Sequence, residues 1–309
     1  MYGRLFSTLG TLGFRARRKA RYVWTKATVR DFAYKVRQRM EFDRNPLFVT
    51  LQDKYAVKAY AQARGIKTAE VFCVTDEPST IPFAELPQTC FIKANHGWGW
   101  NILRRGGAFF LFEDGQNVLG ADGSVSPAAT VQKELSQEAC AALLGRWLKT
   151  RHNPAEWVYG EIAPKIIVEE ALEAPRPGEM PDYRLFTFDG VVKAIDFDTP
   201  SHRRDQKSCF FDPAWRELSV TPQERPDTLP PKPANLSEMI AAAECLGAGL
   251  DFVRVDLYNT PKGVYLGEMT LYPESGDIGT PSKSRAFNTW LGQQWRLDKR
   301  HFIDAVKRR

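Results

Sequence analysis

The chain has 309 residues, of which 43% are hydrophobic and 26% are charged, so it can bury the substantial core of a folded protein. No apolar run approaches the roughly 18 to 20 residues that a membrane-spanning helix needs. The cysteines are odd in number and lack a C-x-x-C spacing, which argues against a disulfide framework and favours free thiols in a reducing cytoplasm: Cys73, Cys90, Cys140, Cys209 and Cys245.

Residues 1–44 carry most of the positive charge. They hold twelve Lys and Arg against three acidic residues, a net charge of +9, whereas the whole chain has a net charge of +6. Apolar residues are interleaved with the basic ones, which predicts a helical arm of basic amphipathic helices lying on an anionic membrane. The alternative is a helix that packs one face on the rest of the protein. The apolar part precedes the basic run, unlike a secretory signal, and no nucleic-acid-binding motif is present, so we expect no nucleic-acid partner.

Residues 45–88 are predicted to form a short α/β segment. A helical pattern runs from Gln52 to Arg64 and ends at Gly65, and a strand-like run follows over Ile66 to Val74. Residues 89–112 then contain a strand, a glycine-containing loop and a second apolar run. Lys93 at the end of the first strand supplies a positive charge for a phosphate, and glycines let backbone N–H groups approach phosphate oxygens closely. An ordinary turn is the alternative.

A helix is predicted over Ser136 to Thr150, with Ser136 as its N-cap. The next strand, Lys165 to Leu172, is apolar and then becomes acidic at Glu169 and Glu170. Such an edge could offer backbone groups to an adenine and a carboxylate to its amino group. The alternative is a solvated strand end.

A hairpin is predicted around the turn at Asp189 and Gly190. Its second strand ends in Asp196-Phe197-Asp198, the spacing with which glycosyltransferases hold a metal-bound nucleotide sugar. A strand whose aspartates face solvent on either side of a buried Phe197 explains the same pattern. Arg203 and Arg204 follow in a polar loop, where they would meet phosphates or an acidic sugar if the loop faces a cleft. No G-x-S-x-G or G-x-x-x-x-G-K motif occurs, which argues against a serine hydrolase and a P-loop kinase.

A second hairpin is predicted from Phe252 to Pro273, with its turn at 259–262. Arg254 and Asp256 lie two residues apart and therefore on one face of their strand, and Glu268 lies on the returning strand. Two carboxylates beside a guanidinium suit Mg²⁺, which takes a few carboxylate oxygens and leaves its other positions to phosphate and water. The alternative is a charged face exposed to solvent.

These pieces occur in an order that resembles ATP-grasp enzymes, and most closely the TupA-like ATP-grasp family, named for teichuronopeptide biosynthesis. The resemblance covers roughly residues 45–275. It is carried by short phrases that are weak singly and specific in combination, namely Asp53-Lys54-Tyr-Ala-Val-Lys58, Ile92-Lys93-Ala-Asn95-His96-Gly97, Pro181-Asp182-Tyr183-Arg184, Phe186-Thr-Phe-Asp189-Gly190 and Phe252-Val-Arg-Val-Asp-Leu-Tyr258.

The resemblance implies roles for individual residues. Lys54 and Lys93 would contact phosphates, and the loop with His96, Gly97, Gly99 and Asn101 would be the flap over the β- and γ-phosphates. The adenine-binding linker would comprise Glu169, Glu170 and Leu172, and either Glu173 or Glu179 would bind the ribose. Asp256 and Glu268 would bind the metal, with Thr270 as a weaker ligand where ATP-grasp enzymes commonly have Asn, and Arg254 would hold the substrate carboxylate. Arg203 and Arg204 are further candidate catalytic residues because of their polar loop, for which a solvated loop is the alternative. Trp98 and Trp100 depart from the small residues usual in the flap, and could cap a ligand by stacking or hinder closure.

The resemblance therefore implies an α+β protein of the ATP-grasp fold, with two lobes gripping ATP. The predicted division is a basic arm over 1–44, a preceding segment over 45–88, a small lobe over 89–172 and a large lobe over 173–309. The implied activity is an ATP- and Mg²⁺-dependent carboxylate–amine ligase acting on a cell-surface polysaccharide or its precursor, in the cytoplasm or at the inner membrane face. The alternatives are a sugar kinase of the same fold, a glycosyltransferase and a non-catalytic polysaccharide-binding relative.

Overall fold

The computed structural model describes residues 31–112, 132–175, 180–198, 208–220, 226, 228–277 and 285–303. Residues 1–30 of the predicted arm, and the candidates Glu179, Arg203 and Arg204, lie outside the described residues. Within this part the helices are α1 (Phe32–Phe42), α2 (Leu47–Gln52), α3 (Ala56–Gln62), α4 (Gln137–Leu148), α5 (Leu236–Gly247) and α6 (Arg285–Gln294). None of the described helices is long and apolar enough to cross a membrane.

The strands form two six-stranded sheets. They are β1 (Lys67–Thr68), β2 (Val71–Thr75), β3 (Thr89–Ala94), β4 (Asn101–Arg105), β5 (Ala108–Phe112), β6 (Gln132–Leu135), β7 (Ile166–Glu170), β8 (Asp182–Phe188), β9 (Val191–Asp198), β10 (Ser208–Phe211), β11 (Phe252–Thr260) and β12 (Gly263–Thr270). The first sheet has the order β1-β12-β11-β8-β9-β10, and the second has the order β2-β7-β3-β4-β5-β6. Neighbouring strands are antiparallel except β1 and β12, which are parallel. Helices and sheets of this mixture make an α+β protein, as expected.

Each sheet has its own apolar core. Helix α5 packs on β8, β9 and β11 of the first sheet, and α4 packs on β3, β5 and β6 of the second. Helix α4 begins where the sequence predicts, because the Ser136 hydroxyl accepts a hydrogen bond from the Ala139 N–H at 3.2 Å. The hairpin of β8 and β9 also turns where predicted, since Asp189 and Gly190 both have positive φ, the geometry that favours Asp-Gly.

Helix α1 shows which of the two alternatives, binding to a membrane or packing on the body, holds for residues 32–42 of the basic arm. Phe32 and Val36 are buried in the first core, and the Asp31 side chain caps the helix by accepting from the Tyr34 N–H at 2.9 Å. Arg39 is fully buried, where it forms an ion pair with Asp251 and donates to the Phe252 carbonyl oxygen at 2.9 Å. Residues 32–42 are therefore an integral part of the folded body.

The segment between α1 and β3 differs from the predicted pattern in two ways. The helix predicted over Gln52 to Arg64 is divided at Asp53, whose carboxylate accepts hydrogen bonds from the N–H groups of Tyr55 at 2.8 Å and Ala56 at 3.2 Å. The single strand predicted from Ile66 is also divided, since β1 pairs with β12 in the first sheet and β2 pairs with β7 in the second. This short stretch therefore connects the sheets, and Lys54 lies at the turn between α2 and α3.

Candidate functional site

A cavity of about 220 Å³ lies where residues of both sheets and of helix α3 meet. Charged side chains dominate its wall, and they come from elements far apart in the chain. The lining residues are Lys54, Val57, Lys58, Thr68, Lys93, Trp98, Gly99, Asn101, Glu169, Asp182, Arg184, Arg254, Asp256, Tyr258, Leu266, Gly267 and Glu268. Eight of the residues with a predicted role in the site are therefore together in one cavity, and Trp98 of the predicted flap lines it too.

Strands β11 and β12 supply two carboxylates to the cavity as cross-strand partners. Asp256 lies opposite Glu268, and Arg254 lies opposite Thr270. The Arg254 guanidinium donates two hydrogen bonds to Asp256, from Nε to Oδ1 at 2.7 Å and from Nη2 to Oδ2 at 2.6 Å. The same Nη2 lies 3.1 Å from Thr270 Oγ1 and 3.5 Å from Glu268 Oε1. Arg254 therefore fixes both carboxylates relative to each other.

The two carboxylates have opposite pKa shifts. Burial raises the pKa of Asp256 to about 6, against the opposing effect of Arg254. The Lys54 ammonium, which donates to Glu268 Oε2 at 2.8 Å, is the largest of the influences that hold the pKa of Glu268 well below its usual range. Glu268 is therefore ionised at neutral pH, and a second cation near Asp256 would favour ionisation there too.

The donor set suits Mg²⁺ that is shared with phosphates. No group of three or more His, Cys, Asp or Glu residues able to hold a metal occurs among the described residues. Mg²⁺ does not require such a cage, because it is commonly bound by one or two carboxylates with phosphate and water completing its coordination. Asp256 and Glu268 provide those carboxylates, and the hydroxyl of Thr270 donates to Glu268 Oε1 at 3.1 Å, which makes it a support for that ligand.

The second side of the cavity holds a buried carboxylate between two lysines. Lys93 donates to Glu169 Oε1 at 2.5 Å, and Lys58 lies 2.7 Å from Glu169 Oε2. Lys58 also donates to the Ala69 carbonyl oxygen at 3.0 Å. Burial alone would raise the pKa of Glu169, but the two ammonium groups lower it to about 2. Glu169 is therefore a fixed negative charge that orients both lysines.

The loop between β3 and β4 is supported from beneath by buried polar residues. Asn95 accepts from the Lys165 N–H at 2.7 Å and donates to the Ala163 carbonyl oxygen at 3.0 Å. The ring nitrogens of His96 contact Asn95 and the carbonyl oxygens of Trp147 and Thr150, and burial lowers the pKa of His96. His96 therefore lies in the support of the loop and outside the cavity lining.

The remaining predicted residues divide between the cavity and its surroundings. Gly99 and Asn101 line the cavity, whereas Gly97, Glu170, Leu172 and Glu173 do not. The Glu170 side chain lies near the surface, 3.7 Å from the Lys262 ammonium. Asp196 of the Asp-x-Asp pattern is buried and lies 4.0 Å from Arg184 Nη1, which does not fit solvent-facing alternation at that residue.

Five charged or polar residues of the cavity have no role predicted from the sequence: Lys58, Thr68, Asp182, Arg184 and Tyr258. The sequence contains a signal for three of them. Lys58 follows Lys54 by one helical turn, a spacing that places two side chains on one face. Asp182 and Arg184 alternate along one strand, so both point to the same face.

A protein-family model described as TupA-like ATPgrasp matches residues 34–296. No curated protein sequence matches the chain. Among solved structures, the chain is similar to the D-alanine–D-alanine ligase of Helicobacter pylori, with 15% identity over 83% of this chain and 62% of that one and a TM-score of 0.41. It is also similar to the D-cycloserine synthetase DcsG, with 17% identity, 81% and 70% coverage and a TM-score of 0.40. A third is the D-alanine–D-alanine ligase of Bacillus anthracis complexed with ATP, with 14% identity, 79% and 65% coverage and a TM-score of 0.38. The chain thus spans about three fifths of the length of the Helicobacter pylori ligase.

Proposed function

The chain belongs to the TupA-like ATP-grasp family, and from that premise we propose that it is an ATP-dependent ligase that joins a carboxylate to an amine. The observation that carries the proposal is the composition of the cavity. Three lysines, two arginines and four carboxylates converge there from two sheets, α3 and the turn before α3. Five cationic side chains beside a pair of carboxylates suit a polyphosphate with its Mg²⁺.

The nucleotide is assigned to the side of the cavity where the two sheets meet. Lys54 and Lys93 bind phosphate oxygens, and the adenine lies along the edge formed by Glu169 to Leu172. Asp256 and Glu268 would hold Mg²⁺, which would supply charge neutralisation to the phosphates. Lys54 donates to Glu268 Oε2 at 2.8 Å, and it would donate to a phosphate oxygen instead if Glu268 bound the metal.

The chemistry proceeds in two steps. A carboxylate oxygen of the substrate attacks the γ-phosphorus of ATP, the bond to the β-phosphate oxygen breaks, and ADP leaves. The amine then attacks the carbonyl carbon of the acyl phosphate, an amide forms, and phosphate leaves with the shared oxygen. Arg254 and Arg184 supply positive charge next to Asp256, which lies opposite Arg184 in the sheet. Positioning and charge neutralisation provide most of the rate acceleration in such transfers.

The substrates are proposed from the family resemblance. We assign the carboxylate to a cell-surface polysaccharide or its precursor and the amine to an amino acid or similar compound. Residues 1–30 carry eight Lys and Arg and no acidic residue. That charge supports placement at the anionic inner face of a membrane, where the end of a growing polysaccharide would be accessible.

The proposal is tested by measuring ADP and phosphate release in a matrix of sugar acids and amines. A ligase releases both products together only when a carboxylate and an amine are supplied. A kinase releases ADP without phosphate, and a glycosyltransferase releases a nucleoside diphosphate from a nucleotide sugar. Glu268→Gln should abolish release, whereas Glu161→Gln, which removes an exposed carboxylate outside the cavity, should not. Release that is unaffected by Glu268→Gln contradicts the proposal.

A further inference from the structure

Trp98 presents an indole to the cavity and to solvent. It is 65% exposed, the largest value among the exposed large hydrophobic side chains of the described residues. It lines the same cavity as Lys54 and Glu268. An exposed Trp at the wall of a charged cavity gains free energy when a ligand covers it, because an aromatic side chain presents a large apolar area.

Neighbouring aromatic residues hold this indole in place. The backbone N–H of Trp98 donates to His152 Nε2 at 3.2 Å, and the indole meets the His152 ring edge to face with centroids 5.9 Å apart. His152 in turn packs edge to face against Trp100 at 4.9 Å and Tyr159 at 5.3 Å. Burial lowers the pKa of His152 to about 4, so Nε2 is available as an acceptor at neutral pH.

The backbone of the loop is shaped to present Trp98. A Cβ atom at Gly97 would lie 3.0 Å from His152 Cγ and 3.1 Å from Trp100, and Gly99 has a φ of +70° that side chains rarely adopt. Gly97 is therefore required by close packing, and Gly99 is required by the turn. A ligand that stacks on Trp98 would meet a pre-formed surface, which lowers the entropy cost of binding.

The position of Trp98 separates it from the proposed adenine site. Strands β3 and β7 are antiparallel, with Ala94 opposite Ile166 and Cys90 opposite Glu170. The loop with Trp98 follows Ala94, whereas the edge assigned to adenine continues beyond Glu170. The four residues from Cys90 to Ala94 span about 13 Å of strand. Trp98 therefore follows the opposite end of this strand pair from Leu172, which favours a ring of the second substrate over the nucleotide base.

The rest of the wall restricts the kind of ring. Besides Trp98 and Tyr258, the cavity offers carboxylates, guanidinium groups and ammonium groups, and the proposed function assigns no phosphate or metal to Asp182 or Tyr258. Polar groups beside the ring favour a ligand whose own rim carries hydrogen-bonding groups. A pyranose has an apolar face of C–H groups and a rim of hydroxyl groups. We infer that Trp98 stacks on a pyranose ring of the carboxylate-bearing substrate, an inference that rests on the proposed ligase function.

The test compares ring and open-chain acids on the full-length protein saturated with MgATP. Glucuronate and galacturonate are pyranose acids, and gluconate is an open-chain acid with the same number of carbons. Saturation-transfer NMR reports which protons contact the protein. Both pyranose acids should give signals with the wild type and with Trp98→Phe, and the signals should fall about tenfold with Trp98→Leu, which keeps apolar volume but not the flat ring. Gluconate should give none.

Phe110→Leu is the matched control, because it makes the same kind of change on β5 of the same sheet, outside the cavity lining. It should leave the signals unchanged. Signals that survive in Trp98→Leu, a gluconate signal equal to that of the pyranose acids, or no signal from either pyranose acid would overturn the inference. A calorimetric titration with MgATP distinguishes failure of the proposed function from failure of the inference about Trp98. If the wild type does not bind MgATP, the proposed function fails, and if only Trp98→Leu loses it, Trp98 contacts the nucleotide and the inference is wrong.

Discussion

Replacing Glu169 by Gln should destabilise the protein in a pH-dependent way. The side chain is 9% exposed and lies between the Lys58 and Lys93 ammonium groups at 2.7 and 2.5 Å. Its pKa of about 2 in the folded protein compares with an ordinary value of 4.5. A difference of that size corresponds to about 3 kcal/mol of folding free energy at neutral pH.

The sign of the pH dependence follows from the depressed pKa. The stabilisation is fully present above pH 4.5, where the carboxylate is ionised in both states, and it is lost as the pH falls through about 2. The difference in unfolding free energy between wild type and Glu169→Gln should therefore shrink to roughly half by pH 3. Urea unfolding at pH 7 and pH 3, followed by tryptophan fluorescence, measures that difference.

Two further variants measure the energetic coupling between Lys58 and Glu169. Lys58→Met removes one partner, and the double variant with Glu169→Gln should lose less than the sum of the single losses, because a lone buried charge costs more than an absent pair. Glu170→Gln is the control on the same strand, since its partner Lys262 is 62% exposed and such a surface pair contributes about 0.5 kcal/mol or less. A Glu169→Gln loss no larger than that of Glu170→Gln, or one that does not change with pH, would refute the reasoning.

The other predictions concern the nucleotide, the metal and the basic arm. Lys93→Ala should weaken MgATP binding by about tenfold or more in a calorimetric titration, since it removes a charge-assisted hydrogen bond to phosphate. Asp256→Asn should remove most turnover while circular dichroism stays unchanged, because the metal loses a ligand and the fold keeps its hairpin. The wild type should co-sediment with anionic vesicles at low salt and be released by added salt, and deletion of residues 1–30 should abolish the association without affecting MgATP binding.

Each of these three predictions would be contradicted by a specific result. Unchanged MgATP affinity in Lys93→Ala would remove this lysine from the phosphate site, and normal turnover in Asp256→Asn would remove the metal assignment. Binding of the shortened protein to the same vesicles would place the membrane contact elsewhere. The deletion stops at residue 30 because α1 begins at Phe32, and a longer deletion would remove buried residues of the core.

Local patterns were enough to predict several elements of the fold and site. Alternating β-branched and aromatic residues around a turn with Asn, Pro and Gly predicted the hairpin of β11 and β12, which carries Arg254, Asp256 and Glu268 on adjoining strands. The helix capped by Ser136 and the turn at Asp189 were also predicted, because capping and turn chemistry depend on neighbouring residues only.

Features that depend on distant residues could not be predicted in this way. Lys58 contacts Glu169 only because α3 packs near β7, and nothing within either segment encodes that approach. His96 belongs to the predicted flap loop, but the burial of its side chain could not be predicted, because its partners are carbonyl oxygens at the end of α4. The division of the strand after Ile66 between two sheets likewise depends on pairing with β12 and β7, which lie far along the chain.

The most direct test of the ligase account follows one oxygen atom. A carboxylate substrate labelled with ¹⁸O is incubated with MgATP, the amine and the full-length protein, and the released phosphate is examined by mass spectrometry. An acyl-phosphate mechanism predicts that each phosphate carries one ¹⁸O, since the carboxylate oxygen that attacks ATP leaves with the phosphate. Phosphate without the label, or a phosphorylated product with no free phosphate, would contradict the account.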